Sequence, residues 1–221
     1  MGSWSIGPES SPPTEVPSRL PFSPPTPTRS HSVMSDSFPV MAPPRLGVSA
    51  SPAARKAVFT GTFDPMTLGH LDVIRRGRLL FDQLVVGIGV NPNKTPLFDL
   101  EERVNLARHI VREYHNVTVE PFDELAVAFV RRIGAQVILR GVRTLSDMEY
   151  EFSMSLTNKR LAPEIETVFL MADGEYSHVS SSLIKQLARY GGAEALARFV
   201  PEEMIRPIME KLRDPEWQTR F

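Results

Sequence analysis

Two spacings of apolar residues alternate along the chain after residue 55. The first is a short run of consecutive Val, Ile and Leu side chains, as is typical of strands covered on both faces of a sheet. The clearest run spans residues 83–90, with the sequence QLVVGIGV. Runs of this kind predict five strands, at residues 56–60, 83–90, 117–120, 137–140 and 167–171.

Between these runs, apolar residues recur at the three- and four-residue spacing of a helix. Two predicted helices begin with a capping box, Asp99 with Glu102 and Ser146 with Glu149. Glycines after two others, and Pro201 before the last, are typical helix boundaries. The pattern predicts helices at residues 68–81, 99–114, 125–133, 146–161, 181–190 and 201–212.

Strands that alternate with helices indicate an α/β fold, a doubly wound five-stranded parallel sheet with a C-terminal helical segment. In such sheets ligands bind at the carboxyl ends of the strands. The loops that follow the strands are therefore where chemistry is expected.

The first part of the chain has a different composition. Residues 1–54 are dense in Pro, Ser and Thr and show neither period, so we expect a disordered tail followed by one domain at residues 55–221. No basic start precedes an apolar core, which argues against a signal peptide. The sequence leaves two alternatives open for this segment. It could be a transit peptide, or the start codon could be assigned too far upstream, with translation beginning at Met34 or Met41.

Composition narrows the function classes. The 221 residues carry a formal net charge of -1, which argues against a nucleic-acid partner held by bulk charge. Cysteine is absent, so thiol catalysis and thiolate metal sites are excluded. Apolar runs are too short for a membrane span. We expect a cytoplasmic protein with neither a nucleic-acid nor a membrane partner.

The loop after the first predicted strand carries the strongest chemical signal. It reads Gly61-Thr-Phe-Asp-Pro65, and Thr67-x-Gly-His70 opens the next helix. A glycine, backbone N–H groups and a helix N-terminus suit a phosphate, and His70 can donate to one, more strongly in its charged form. The alternative is a well-capped turn with a structural histidine.

These residues resemble the T/HxGH nucleotidyltransferases, a superfamily with a Rossmann-like fold. Most members have His at the position of Thr67, whereas the phosphopantetheine adenylyltransferases have Thr there, as this chain does. The resemblance runs to about Leu212. It implies transfer of the adenylyl group of ATP to 4′-phosphopantetheine, giving dephospho-coenzyme A and pyrophosphate. It also implies Mg²⁺ bound with ATP and a homohexamer.

The resemblance also implies roles for individual residues. His70 becomes the stabiliser of the transition state, with Lys94 and Arg143 as the other catalytic residues. Substrate contacts fall on Thr62, Lys94, Ala126 and Arg140. ATP contacts fall on Thr62, Phe63, His70, Gly141, Val142, Arg143, Glu151, Tyr176, Ser177, His178, Val179, Ser180, Ser181 and Ser182. No residue is assigned to a protein metal site.

Each assignment has a plainer alternative. Lys94 alone is an ordinary surface lysine, Arg140 and Arg143 could form surface salt bridges, and Glu151 could complement a helix dipole. Serines 180–182 could be helix caps. Two other functions also stay open at this stage, a related enzyme acting on nicotinamide mononucleotide or another phosphate, and a non-catalytic nucleotide sensor.

Overall fold

The strands lie where the apolar runs predict them. The structure is a computed structural model and describes residues 54–91 and 95–213. Strands β1, β3 and β4 each extend further than predicted, to Gly61, Phe122 and Val142. The five strands of these described residues are β1 (Lys56–Gly61), β2 (Gln83–Gly89), β3 (Val117–Phe122), β4 (Val137–Val142) and β5 (Glu166–Met171).

In the part of the chain that the structure describes, six helices connect and follow the strands. A short 3₁₀ helix, Gly174–Tyr176, precedes the fifth. The helices are α1 (Leu68–Leu80), α2 (Leu100–Ile110), α3 (Ala126–Ile133), α4 (Leu145–Leu161), α5 (Ser181–Leu196) and α6 (Glu202–Arg213). In the described ranges, no helix has the length and apolar character that a membrane span requires.

All strand pairs in the sheet are parallel, in the order β3-β2-β1-β4-β5. The chain winds outward from β1 to β3 and then returns to add β4 on the other side of β1. The switch point therefore lies between β1 and β4, where Phe59 pairs with Leu139. Ligand crevices of α/β sheets form at such points.

Each face of the sheet carries its own apolar core. On one face α1, α2, α5 and α6 pack around a large cluster that includes Ile74, Val86 and Leu139. On the other face α3 and the residues after α4 pack around a smaller cluster with Val58, Phe129 and Ile138. Helices on both faces of a parallel sheet confirm the predicted fold class.

Several helix boundaries differ from the prediction, most of them by one residue. Helix α4 begins one residue earlier, because the Thr144 side chain, rather than Ser146, accepts from the Asp147 N–H. Helix α2 ends at Ile110, short of Tyr114. Gly192, at a φ of 66°, breaks α5 without ending it, because a further helical segment continues to Leu196.

Candidate functional site

Side chains from four segments meet beside the carboxyl ends of β1 and β4. They come from the loop after β1, the start of α1, the loop after β4 and the segment that leads into α5. The charges of Arg143 and Arg140 both act on His70, although at least 70 residues of sequence separate them from it. The switch point of the sheet therefore brings His70, Arg140 and Arg143 near one another.

His70 is fixed by a capping box at the start of α1. Its backbone N–H donates to Thr67 Oγ1 at 3.3 Å, and its Nδ1 accepts from the Thr67 backbone N–H at 3.0 Å. Because Nδ1 accepts, its proton is absent and the ring carries hydrogen on Nε2. The backbone N–H of residue 67 thus sets the tautomer of His70.

The environment of His70 favours the neutral ring. Burial, then the charges of Arg143 and Arg140, lower the pKa of His70 from 6.5 to about 4. In the ligand-free site His70 is therefore neutral, and the expectation of a charged donor is not met. What the site offers at neutral pH is a neutral Nε2–H donor.

The N-terminus of α1 has fewer donors to offer than expected. The Leu68 N–H donates to the Phe199 carbonyl at 2.9 Å, and the His70 N–H is taken by Thr67. Gly69 faces Tyr176, whose Cβ would lie 3.4 Å from an added methyl group, so the space beside it is filled by protein. Anion binding here must rely mainly on side chains and on the loop after β1.

Phe63 lies within that loop in a left-handed conformation, with a φ of 48°. Its ring is buried and packs edge-to-face on Phe59 and on His70, with centroids 5.3 and 5.1 Å away. Since the ring is in the core, a contact between Phe63 and ATP could be made only through its backbone.

Asp64 ties the loop to two distant segments. The carboxylate is buried and accepts from the backbone N–H groups of Leu97 and Phe98 at 2.8 to 3.0 Å. It also pairs with Lys185 of α5 at 2.7 Å. Asp64 is therefore a structural anchor of the site, a role that its place in the sequence did not reveal.

Arg140 and Glu151 form one unit. Arg140 Nε donates to Glu151 Oε2 at 2.6 Å, and Nη2 donates to Oε1 of the same carboxylate. The remaining Nη1 donates to the carbonyl and the hydroxyl of Thr60, both at 2.8 Å. The guanidinium is thus held in one orientation at the rim of the sheet.

This unit lines a cleft on the α3–α4 side of the sheet, with an empty volume of about 380 Å³ that is partly open to solvent. Ala126, at the start of α3, lines the same cleft as Arg140. The structure therefore brings together two of the four residues that the resemblance assigns to the substrate. The other lining residues are Thr60, Ile138, Tyr150, Glu151, Met154, Ser155, Asn158 and Thr167.

Arg143 connects the loop after β4 to the segment before α5. Its Nε donates to Asp147 Oδ2 at 2.9 Å, and its Nη1 donates to the Val179 carbonyl at 2.5 Å. Salt bridges, the plain alternative for Arg140 and Arg143, are therefore present, but both are partly buried rather than at the surface. They orient both guanidinium groups beside His70 and are compatible with a binding role.

Gly141 is constrained by α1, which packs on the other face of β4, and the next residue, Val142, is buried. An added methyl group at Gly141 would lie 2.7 Å from Val73 Cγ2, so the glycine is required for α1 to pack against the strand. Val142 and Val179 have buried side chains. Their assigned ATP contacts could be made only through the backbone.

The segment from Tyr176 to Ser182 enters α5. Ser180 is its N-cap, since its hydroxyl accepts from the Leu183 N–H at 3.1 Å. The Ser181 hydroxyl donates to the Pro65 carbonyl at 3.0 Å. His178 is exposed and packs edge-to-face on Phe199. Ser177 bonds within its own turn and Ser182 is exposed.

Two residues complete the comparison with the sequence. Lys94 lies outside the described residues. Arg103 was missed altogether, although its buried side chain donates to four backbone carbonyls, among them those of Thr62 and Gly89. An arginine four residues after an N-cap gives no local sign of such contacts.

Comparison with known proteins identifies the family. A cytidylyltransferase-like family model matches residues 58–187. A phosphopantetheine adenylyltransferase of Rhodopirellula baltica is 52% identical over 160 residues, which make up 72% of this chain and 89% of that protein. That of Caldanaerobacter subterraneus subsp. tengcongensis is 45% identical over 159 residues, 72% of this chain and 98% of that protein. The chain belongs to the phosphopantetheine adenylyltransferase family. The resemblance drawn from Thr67 and its neighbours is thereby confirmed.

Solved structures agree at the level of the fold. A bifunctional NMN adenylyltransferase/ADP ribose pyrophosphatase of Francisella tularensis superposes with a TM-score of 0.53 at 14% identity, covering 75% of this chain and 51% of that one. TmcAL of Thermotoga maritima, solved with alpha-thio ATP, gives 0.51 at 14% identity over 72% and 56% of the two chains. At such identities the likeness shows the fold alone.

Proposed function

We propose that this protein transfers the adenylyl group of ATP to 4′-phosphopantetheine, forming dephospho-coenzyme A and pyrophosphate. The observation that carries the proposal is the Thr67–His70 box, set beside Arg140 and Arg143 in a chain 45 to 52% identical to phosphopantetheine adenylyltransferases.

The reaction needs no protein nucleophile. A phosphate oxygen of phosphopantetheine attacks the α-phosphorus of ATP, and the bond from that phosphorus to the oxygen bridging to the β-phosphate breaks. Pyrophosphate leaves with the electron pair of that bond. The protein must hold two mutually repelling polyanions in line and stabilise the charge that develops in transit.

His70, Arg143 and the segment entering α5 are suited to ATP. The neutral Nε2–H of His70 donates to the reacting phosphate, and Arg143 supplies a fixed positive charge. Backbone groups of Phe63, Gly141 and Val142 supply further contacts. The remaining ATP contacts that we propose come from Thr62, Glu151, Tyr176, Ser177, His178, Val179, Ser180, Ser181 and Ser182.

Phosphopantetheine is proposed to occupy the cleft on the α3–α4 side. Successive side chains of a strand point to opposite faces, so Arg140 faces this cleft while Gly141 faces α1. Arg140 receives the substrate phosphate, with Thr62 and Lys94, and Ala126 leaves room for the pantetheine arm.

Magnesium is proposed to enter as the complex with ATP. Phosphate oxygens and water are ligands that Mg²⁺ accepts readily. Among the described residues, the carboxylates nearest the arginines are already paired, Asp147 with Arg143 and Glu151 with Arg140. Titration of turnover with EDTA, and its recovery with Mg²⁺ added in excess, tests this dependence.

The experiment that tests the function measures pyrophosphate release from MgATP by the purified chain. It is run with 4′-phosphopantetheine, with nicotinamide mononucleotide, and with neither. Release only with phosphopantetheine is expected. Release with the mononucleotide would favour the related enzyme, and ATP binding without release in any arm would favour the nucleotide sensor.

We also propose a homohexamer located in the cytoplasm. Apolar side chains of α4, among them Leu145, Phe152 and Leu156, are more than half exposed, which favours burial against another copy. Light scattering after size exclusion should give about 148 kDa, six times the 24.7 kDa of one chain. Replacing Phe152 and Leu156 by Glu should lower this mass, and cell fractionation tests the location.

A further inference from the structure

The buried guanidinium of Arg103 bridges the point where β1 and β2 diverge. Its Nη1 donates to the Thr62 carbonyl at 2.8 Å, just after β1, and to the Gly89 carbonyl at 2.9 Å, at the end of β2. Its Nε donates to the carbonyls of Phe98 and Asp99 at 3.1 and 3.2 Å. With four acceptors on three segments, the side chain has a single orientation.

Holding the Thr62 carbonyl also orients the next N–H group. The carbonyl of Thr62 and the N–H of Phe63 belong to one planar trans peptide, in which they point in opposite directions. Arg103 pulls the carbonyl toward the β2 side of β1. The Phe63 N–H is therefore directed to the β4 side, where Arg140 and Arg143 lie.

The other end of Phe63 is fixed as well. Its ring is buried against Phe59 and His70, and its φ of 48° is one that a bulky side chain rarely adopts. In the described part of the chain, the Phe63 N–H has no hydrogen-bond acceptor. The loop thus presents an unsatisfied donor whose direction is set from both sides.

We propose that Arg103 is a positioning residue that aims the Phe63 N–H at a phosphate of the bound nucleotide. This inference rests on the proposed function and adds a residue to it. Arg103 itself stays buried and touches no substrate. If Arg103 were purely structural, it would join α2 to the sheet without affecting the reacting phosphate. The positioning role and the structural role therefore predict different kinetics.

The variants R103M and R103K separate these roles, with R108M as the matched control. Arg108 lies on the same helix and donates to the Val119 carbonyl at 3.2 Å, which is on β3. In R103M we expect kcat for pyrophosphate release to fall about 10- to 100-fold while the KM for ATP changes less than about threefold, because a misplaced donor is lost mainly in the transition state. R103K keeps one cationic donor and should recover part of kcat. R108M should stay within about twofold of wild type.

Amide NMR tests the direction of the donor without relying on a variant. In protein labelled with ¹⁵N-Phe, the Phe63 amide proton should move downfield when the magnesium complex of α,β-methylene ATP is added. The shift should persist in R108M and disappear in R103M, or in R103K should R103M fail to fold.

Three results overturn the proposal: a wild-type Phe63 amide that does not move, a kcat for folded R103M equal to that of R108M, or a loss that appears only in the KM for ATP. A wild-type chain that releases no pyrophosphate would instead contradict the proposed function, and the amide shift would still report the orientation of the Phe63 N–H.

Discussion

Replacing His70 by Gln and by Ala separates a neutral hydrogen-bond donor from a charged one. A Gln amide can accept from the Thr67 N–H with its oxygen and donate with its nitrogen, as the neutral imidazole does through Nδ1 and Nε2. Gln is also a usual partner in a capping box, so α1 should start unchanged. Ala removes both the cap contact and the donor.

The expected losses follow from the pKa of His70. Removing a donor that stabilises developing charge typically lowers kcat by about 10² to 10³, or roughly 3 to 4 kcal/mol, and this is expected for H70A. H70Q should stay within about tenfold of wild type. With a pKa of about 4, protonating His70 at pH 7 would cost about 4 kcal/mol, so a mechanism that needs imidazolium is disfavoured in the free enzyme.

The pH profile of kcat/KM distinguishes a reaction that needs a charged His70 from one that needs a neutral His70. If catalysis required a charged His70, activity would be highest at low pH and would fall as the pH rises through the pKa of His70. If the neutral ring is the active form, titration of His70 causes no change in kcat/KM between pH 5.5 and 8.5. Ionisation of the substrate phosphate, with a pKa of about 6, acts in the opposite direction and raises activity with pH.

The assay is pyrophosphate release from MgATP and phosphopantetheine across that pH range, with circular dichroism to show that each variant is folded. The reasoning is refuted if H70Q is as inactive as H70A. It is also refuted if wild type loses activity between pH 6 and 7.5 with a limb that H70Q lacks.

Three further predictions concern the cleft, the packing and the stability. A126L should raise the KM for phosphopantetheine at least severalfold and leave that for ATP unchanged, because the side chain lines the cleft beside Arg140; A128L, exposed on the same helix, should change neither. G141A should lower the free energy of unfolding by about 1 to 3 kcal/mol in urea titrations, since its methyl group would lie 2.7 Å from Val73, and adding V73A should recover part of the loss. Folding lowers the pKa of His70 from 6.5 to about 4, so between these pH values the unfolded chain binds one more proton than the folded chain. The free energy of unfolding should therefore fall on acidification from about pH 6.5 to 4, by at most roughly 3 kcal/mol. This pH dependence should be smaller in H70Q.

Much of this protein is determined by local sequence. The runs of Val, Ile and Leu are long enough to define all five strands, and their alternation with helical spacing leads to a parallel sheet. The Thr67–His70 box is local too, because a capping box joins residues three apart. Where capping failed to predict a boundary, as at Thr144, two candidate residues lay within three positions of each other.

The tertiary structure decided what connects these elements. The Thr62 carbonyl accepts from Arg103, 41 residues away, and the Asp64 carboxylate accepts from Lys185, 121 residues away. The pKa of His70 likewise depends on two arginines of another strand and loop. Periodicity reports which face of its own element a residue occupies, but it carries no information on which distant carbonyl or charge the folded chain will bring beside it.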